Sequence, residues 1–159
     1  MQEISQSQQP VSRAQGDHIP WSWVALTVVG LEIALVLSAV AWVAIYSYLI
    51  NPGHDLVYYQ NHAQFASPIV SVVVGMPYLF FACRWVGRKA GTRAVATCFC
   101  VWFILFIIDV LLLLLGGATA YIWAMMAISH VTKLLATYFG GKSALKDVQD
   151  PATTRLGKS

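Results

Sequence analysis

Residues 94–115 read AVATCFCVWFILFIIDVLLLLL, an apolar stretch in which the single charged residue is Asp109. A helix needs roughly 20 such residues to cross the ~30 Å hydrocarbon core of a bilayer. The stretch therefore predicts a transmembrane helix, and three further apolar stretches accompany it. We predict membrane spans at residues 21–50, 65–86, 94–115 and 119–138.

The composition agrees with a protein that faces lipid. Of the 159 residues, 58% are hydrophobic and 11% are charged, against roughly 25% charged in soluble domains. We expect an all-α fold, a bundle of four transmembrane helices over residues 21–138. Polar cytoplasmic tails are predicted at residues 1–20 and 139–159.

Turn residues and capping residues mark the ends of these spans. Ser22 is a candidate N-cap for the first span, and Ser67 with Pro68 is expected to begin the second. Glycine and proline interrupt helices, so they predict the breaks between spans. The predicted breaks are at residues 51–53 (NPG), 116–118 (GGA) and 140–141 (GG).

The lysines and arginines predict the orientation of the spans. With four spans, all ten fall on one side of the membrane, and the loop at residues 51–64 and the turn at residues 116–118 carry none. Positive residues stay on the cytoplasmic side, so we predict that both termini are cytoplasmic. The chain is expected to be a multi-pass protein of the plasma membrane, which is the inner membrane in a bacterium. The ten residues are Arg13, Arg84, Arg88, Lys89, Arg93, Lys133, Lys142, Lys146, Arg155 and Lys158.

Glu32, Asp109 and His130 are the candidate functional residues, because they interrupt the predicted spans. Intramembrane ionisable groups usually face protein or water, and they serve as proton relays or as contacts between helices. The helix rise places Glu32 about 15 Å and His130 about 12 Å from the cytoplasmic edge, but Asp109 about 20 Å from it. These depths allow Glu32 and His130 to meet at one level, whereas Asp109 would need a tyrosine, the Thr119 hydroxyl or a histidine of the first loop as its partner.

Metal and cofactor signals are weak. His54 and His62 are weak metal candidates, since they lie eight residues apart in the loop and lack a cysteine partner. Cys83, Cys98 and Cys100 lie in apolar stretches and are expected to be reduced and buried. We predict no metal and no cofactor, although contact with lipid or with a quinone near His130 and Trp123 stays open.

The leading functional hypothesis is a non-catalytic accessory or assembly subunit of a larger membrane complex. Membrane lipids and other membrane subunits, or a second copy of the chain, are the expected partners. The scattered cations do not indicate nucleic-acid binding. The alternative is a small proton-coupled transporter or channel that uses Glu32. An enzyme that uses His130 and Asp109 is the weakest hypothesis, so we favour a non-enzymatic protein.

Overall fold

The computed structural model describes residues 18–149, and these residues form four α-helices without any strand. Helix α1 covers Trp21–Ile45 and continues as a π-helical turn over Tyr46–Ile50. Helix α2 covers Leu56–Ala90, α3 covers Ala94–Gly116, and α4 covers Ala120–Gln149. A 3₁₀ turn at Gly91–Arg93 joins α2 to α3. The all-α prediction is confirmed for this part of the chain.

Two helical segments are long and apolar enough to cross a membrane by length and composition. The first is Trp21–Ile50, and the second, Leu56–Gly116, comprises α2, the 3₁₀ turn and α3. The chain reverses between α2 and α3 at Gly91, whose φ of +58° favours glycine. A second reversal follows α3, where Gly117 adopts the left-handed conformation with φ +66°.

Three of the predicted helix ends were wrong. Pro20, rather than Ser22, precedes α1, and the Pro20 carbonyl accepts hydrogen bonds from the amides of Trp23 and Val24. Helix α2 begins at Leu56, so Ser67 and Pro68 lie inside it. Asp55 is its N-cap, because the Asp55 carboxylate accepts a hydrogen bond of 2.9 Å from the Tyr58 amide.

The third error concerns Gly140 and Gly141, which continue α4 instead of ending it. Both glycines are buried against neighbouring helices. A Cβ added to Gly140 would lie 2.7 Å from the carbonyl oxygen of Phe80 in α2. Small residues let helix backbones approach closely, so tertiary packing outweighs the helix-breaking tendency of glycine here. The predicted C-terminal tail therefore begins later, and residues 150–159 lie outside the described part.

The helices also pack closely near the end of the bundle that carries Arg84 and Arg88. A Cβ on Gly87 would lie 2.7 Å from the Cβ of Ala144 and 3.3 Å from the Cβ of Ala94. This contact brings α2, α3 and α4 together at one level. Nine buried side chains from α1, α2 and α3 form the core cluster beside it: Val24, Val28, Leu31, Leu79, Cys83, Val86, Cys98, Val101 and Leu105.

Candidate functional site

Asp109 on α3 forms the centre of a buried cluster of ionisable side chains. His130 Nε2 of α4 lies 3.0 Å from Asp109 Oδ2, and Lys133 Nζ of α4 lies 3.4 Å from the same oxygen. His130 and Lys133 are almost fully buried, with side-chain exposures of 5% and 3%, whereas Asp109 keeps 26%. One carboxylate oxygen therefore holds two groups from the neighbouring helix.

Helix periodicity and small residues position the two α4 side chains. His130 and Lys133 lie three residues apart, so both project from one face of α4. That face is buried from Ser129 to Ala144. Lys133 passes α2 at Gly75, where a Cβ would lie 2.9 Å from Lys133 Cε. Ser71, one turn earlier on α2, lies 3.3 Å from Ser129 through the two hydroxyl oxygens.

Glu32 on α1 lies at the edge of this cluster. It is half-buried, and it is close enough to Asp109 and Lys133 for both charges to act on it. Its Oε1 atom is buried and has no hydrogen-bond partner within the described residues. Glu32 is therefore a second carboxyl group within electrostatic range of a single lysine.

Aromatic neighbours and a hydrogen bond to its backbone position His130, rather than hydrogen bonds to its ring nitrogens. Its ring meets Phe106 edge-on at 5.0 Å between centroids, and the indole N–H of Trp102 donates to its carbonyl oxygen at 3.2 Å. Both ring nitrogens are buried, and neither has a hydrogen bond of good geometry in residues 18–149. The 3.0 Å approach to Asp109 is therefore an ion-pair distance rather than a linear hydrogen bond.

The structure places His130 against Asp109, and no hydrogen bond or ion pair joins Glu32 to His130 among the described residues. The depth of His130 was measured from Tyr138, but α4 runs on to Gln149. The contact among Gly87, Ala94 and Ala144 places Ala94 and Ala144 at one level. From that level the helix rise puts Asp109 about 22 Å along α3 and His130 about 21 Å along α4, so the two side chains meet.

Lys133 is the member of the cluster that sequence reasoning missed. It was assigned to the membrane edge with the other cations, yet it is buried beside Asp109. The signal was its spacing of three residues from His130 in the predicted span. Lys133 is therefore not among the cations at the end of the bundle that carries Arg84 and Arg88, which we call the basic end.

A cavity of about 480 Å³ leads to the cluster from the opposite end of the bundle. Asp109 and His130 lie at its inner end, and Gln64, Ser67 and Ser71 of α2 line one wall. Its other walls are largely apolar: Pro68, Leu112, Leu113, Ile122, Met125 and Met126. The cluster therefore borders a largely apolar cavity that extends away from the end carrying Arg84 and Arg88.

The weak metal candidates do not converge. The His62 ring stacks on Tyr46 at 3.5 Å, whereas the His54 ring stacks on Tyr58 at 4.1 Å. The hydroxyls of Tyr46 and Tyr58 lie 3.2 Å apart, and Asn51 donates to both. Among residues 18–149, no three His, Cys, Asp or Glu side chains lie together as a metal ion would need. This aromatic group joins the end of α1 to the start of α2.

A second ion-paired group lies at the basic end of the bundle. Asp147 of α4 accepts hydrogen bonds from Arg88 and Arg84 of α2, at 2.9 Å and 3.0 Å through their Nε atoms. The two guanidinium groups, Arg88 more than Arg84, hold the pKa of Asp147 below its usual range. This contact ties the extension of α4 to α2.

Comparison of the chain with known proteins gives no relative for this cluster. No protein-family model matches the chain, and no curated protein or solved structure shows significant similarity to it.

Proposed function

We propose that the chain is a four-span protein of the plasma membrane with both termini in the cytoplasm. Three observations support four spans. Helices α1 and α3 are apolar over most of their surfaces, large apolar side chains are exposed on all four helices, and the basic residues of the described part, apart from Lys133, gather at one end. Exposed apolar surface of this extent suits contact with lipid, and the basic end suits the cytoplasmic face.

Within this architecture we infer that the protein is a small proton-coupled transporter. The observation that carries the inference is the contact of Asp109 Oδ2 with both His130 and Lys133 at the inner end of the cavity. Ionisable groups inside a membrane are expensive to bury and commonly mark proton or ion pathways. A carboxylate and an imidazole at ion-pair distance can exchange a proton when the surroundings change.

The packing favours a transporter over an open channel. The cavity beside Asp109 extends toward the end of the bundle opposite Arg84 and Arg88. At the other end, Cys83, Val86 and Cys98 are fully buried, and Gly140 touches the backbone of α2. A site that is accessible from one side and closed on the other corresponds to one state of an alternating-access cycle.

The groups that face Asp109 determine its response to pH. Glu32 approaches from α1, whereas His130 and Lys133 approach from α4. The described α2 residues that line the cavity are uncharged. Protonation within this set changes the attraction between α3 and α4, which is the physical link we propose between proton binding and opening of the bundle.

The proposal is tested by measuring accessibility of the cavity. The variant Ser67→Cys places a thiol on the cavity wall, and the natural cysteines, of which Cys83 and Cys98 are buried, serve as the background. Intact cells are treated with a membrane-impermeant maleimide at acidic and at neutral external pH. We expect the labelling rate to change several-fold with pH, and we expect Asp109→Asn to remove this change.

The matched control is Asp55→Asn, which alters a carboxylate of the α1–α2 loop and leaves a side chain that still caps helices. This variant should retain the pH dependence. A labelling rate that is independent of pH in the Ser67→Cys protein would overturn the proposal, as would a pH response that survives Asp109→Asn.

An accessory subunit is the second candidate, and the exposure of α1 favours it. The buried residues of α1 all lie between Val24 and Leu31. Farther along, Val36, Leu37 and Val40 are each about 60% exposed. This surface suits a helix of another subunit as well as it suits lipid. Native mass spectrometry after extraction in mild detergent tests the candidate, and a solitary monomer would count against it.

A further inference from the structure

The unused oxygen of Asp109 points to the kind of ligand that the cavity holds. Both close contacts of the carboxylate go to Oδ2. Within residues 18–149, Oδ1 has neither an ion pair nor a hydrogen bond, and Asp109 lines the cavity. A carboxylate oxygen accepts hydrogen bonds and attracts cations, so the inner end of the cavity is suited to a positively charged donor.

The remaining walls determine the rest of the ligand. Leucine, isoleucine and methionine side chains surround most of the space, and methionine sulphur also makes favourable contacts with aromatic rings. Ser129 and Ser71 supply hydroxyls beside the carboxylate. A cavity of about 480 Å³ is large enough for a small organic molecule.

We infer that the cavity takes an amphipathic primary or secondary amine in its ammonium form, with the N–H groups donating to Asp109 Oδ1. This inference rests on the proposed transport function and names its substrate class. A quaternary ammonium carries the same charge but has no N–H to donate. A neutral alcohol can donate but does not carry the charge.

The arriving charge requires compensation, and Lys133 with Glu32 can provide it. The Lys133 stem lies against Gly75, and its ammonium is within electrostatic range of Glu32 as well as in contact with Asp109. When the amine occupies Asp109, Lys133 turns toward Glu32. In this exchange Glu32 carries a proton while the cavity is empty, and that proton passes to the solvent when the Glu32 carboxylate becomes the counter-ion of Lys133. One positive charge enters the cluster and one proton leaves it, so the buried charge does not change.

The buried Oε1 of Glu32 supports this exchange. It has no hydrogen-bond partner in the described residues, although buried polar atoms are normally paired. In the exchanged state the Lys133 ammonium supplies the missing donor. Within residues 18–149, Glu32 Oε1 lacks a partner because Lys133, which can pair with either carboxyl group, is paired with Asp109.

The test measures binding and proton release together. The full-length protein in lipid nanodiscs is titrated calorimetrically with 2-phenylethylamine at a pH where the free amine is charged. Buffers of different ionisation enthalpy report the number of protons released, and empty nanodiscs correct for partitioning into lipid. We expect saturable binding with release of one proton per amine.

Two matched probes test the wild-type protein without any mutation. The N,N,N-trimethyl analogue of the amine and 2-phenylethanol should each bind at least about tenfold more weakly, because the first loses the hydrogen bond to the carboxylate and the second loses the attraction of its positive charge to it. Binding of 2-phenylethanol as tight as that of the amine would overturn the inference, and so would equal binding of the trimethyl analogue.

Two variants then separate the roles of the carboxyl groups. Asp109→Asn should weaken amine binding at least about tenfold. Glu32→Gln should abolish proton release, and release that persists in a folded Glu32→Gln protein would refute the Lys133 exchange. If the Ser67→Cys thiol retains its Asp109-dependent response to pH but no amine binds, the substrate class is wrong and the proposed transport function survives.

Discussion

Asp109 illustrates how strongly a single buried carboxylate depends on its partners. It holds Lys133 and His130 on α4 through one oxygen, in a part of the bundle that is largely closed to solvent. Removing one member of a buried ion pair leaves the other charge uncompensated, which costs more than the pair contributes. The stability of the protein should therefore respond to the balance of charge at this site more than to the number of contacts.

The first prediction concerns this balance. Asp109→Asn leaves Lys133 buried without a counter-charge nearby except Glu32, so we expect it to lower the free energy of unfolding by about 3–5 kcal/mol. The double variant Asp109→Asn/Lys133→Met removes both charges and should recover most of the loss. Thermal unfolding in detergent, followed by circular dichroism, measures both. A double variant no more stable than Asp109→Asn would contradict the explanation.

At the scale of the helices, small residues determine how α2 and α4 pack. Gly140 and Gly87 each lie where an added Cβ would meet the neighbouring helix at 2.7 Å. Their contact partners differ, because Gly140 faces backbone and Gly87 faces the Ala144 side chain. Backbone cannot move aside without moving the whole helix, so Gly140 is the more sensitive position.

The second prediction follows from that difference. Gly140→Ala should destabilise the protein by about 1–3 kcal/mol, because the added methyl group overpacks the contact with Phe80. Gly30→Ala is the matched control, since a Cβ at Gly30 in α1 would meet nothing within 4 Å. Alanine is the better helix former, so the control should gain about 0.5–1 kcal/mol. Melting temperatures that shift in the same direction would refute the packing argument.

The third prediction concerns the ion pairs of Asp147 with Arg84 and Arg88. Asp147→Asn should reduce stability by about 0.5–1 kcal/mol at neutral pH, because the group is partly exposed and solvent weakens the attraction. The arginines lower the pKa of Asp147, so this stabilisation is present above the unfolded-state value of about 3.9 and is lost as pH falls through the lower folded-state pKa.

Melting curves of wild type and Asp147→Asn at neutral and strongly acidic pH measure this effect. The difference between the two proteins should shrink at acidic pH. The neighbouring variant Lys146→Gln leaves both arginine contacts intact and should stay within about 0.5 kcal/mol of wild type. A gap that is unchanged at strongly acidic pH would show that Asp147 acts through packing instead of charge.

At the scale of the whole molecule, the proposed orientation places the cavity away from the cytoplasm and the Asp147 ion pairs toward it. The fourth prediction tests this arrangement in cells. Single cysteines replacing His54 and Lys89 should react with an impermeant reagent from opposite sides of the membrane. Reaction of both from the same side would mean that α2 does not cross the bilayer, and the four-span proposal would fail.

The sequence alone indicated the all-α class and the main reversals of the chain, although it placed the start of α2 and the end of α4 wrongly. Long apolar stretches leave backbone groups to be satisfied within each segment, which favours helices. Residues 51–53 and Gly117 provided turns where they were predicted, because Gly53 and Gly117 adopt positive φ. The sequence also singled out Glu32, Asp109 and His130, which lie in or beside the buried cluster, since ionisable side chains are rare in apolar stretches.

Only the tertiary structure decided which of these polar residues meet. The level of Asp109 relative to His130 depends on how α3 and α4 are aligned, and the contact of Gly87 with Ala94 and Ala144 determines that alignment. The same contacts carry α4 through Gly140 and bury Lys133 beside Asp109. Periodicity along a chain identifies the faces of one helix, but the offset between two helices arises from side chains far apart in sequence. That offset is the physical reason why the partner of Asp109 could not be read from the sequence.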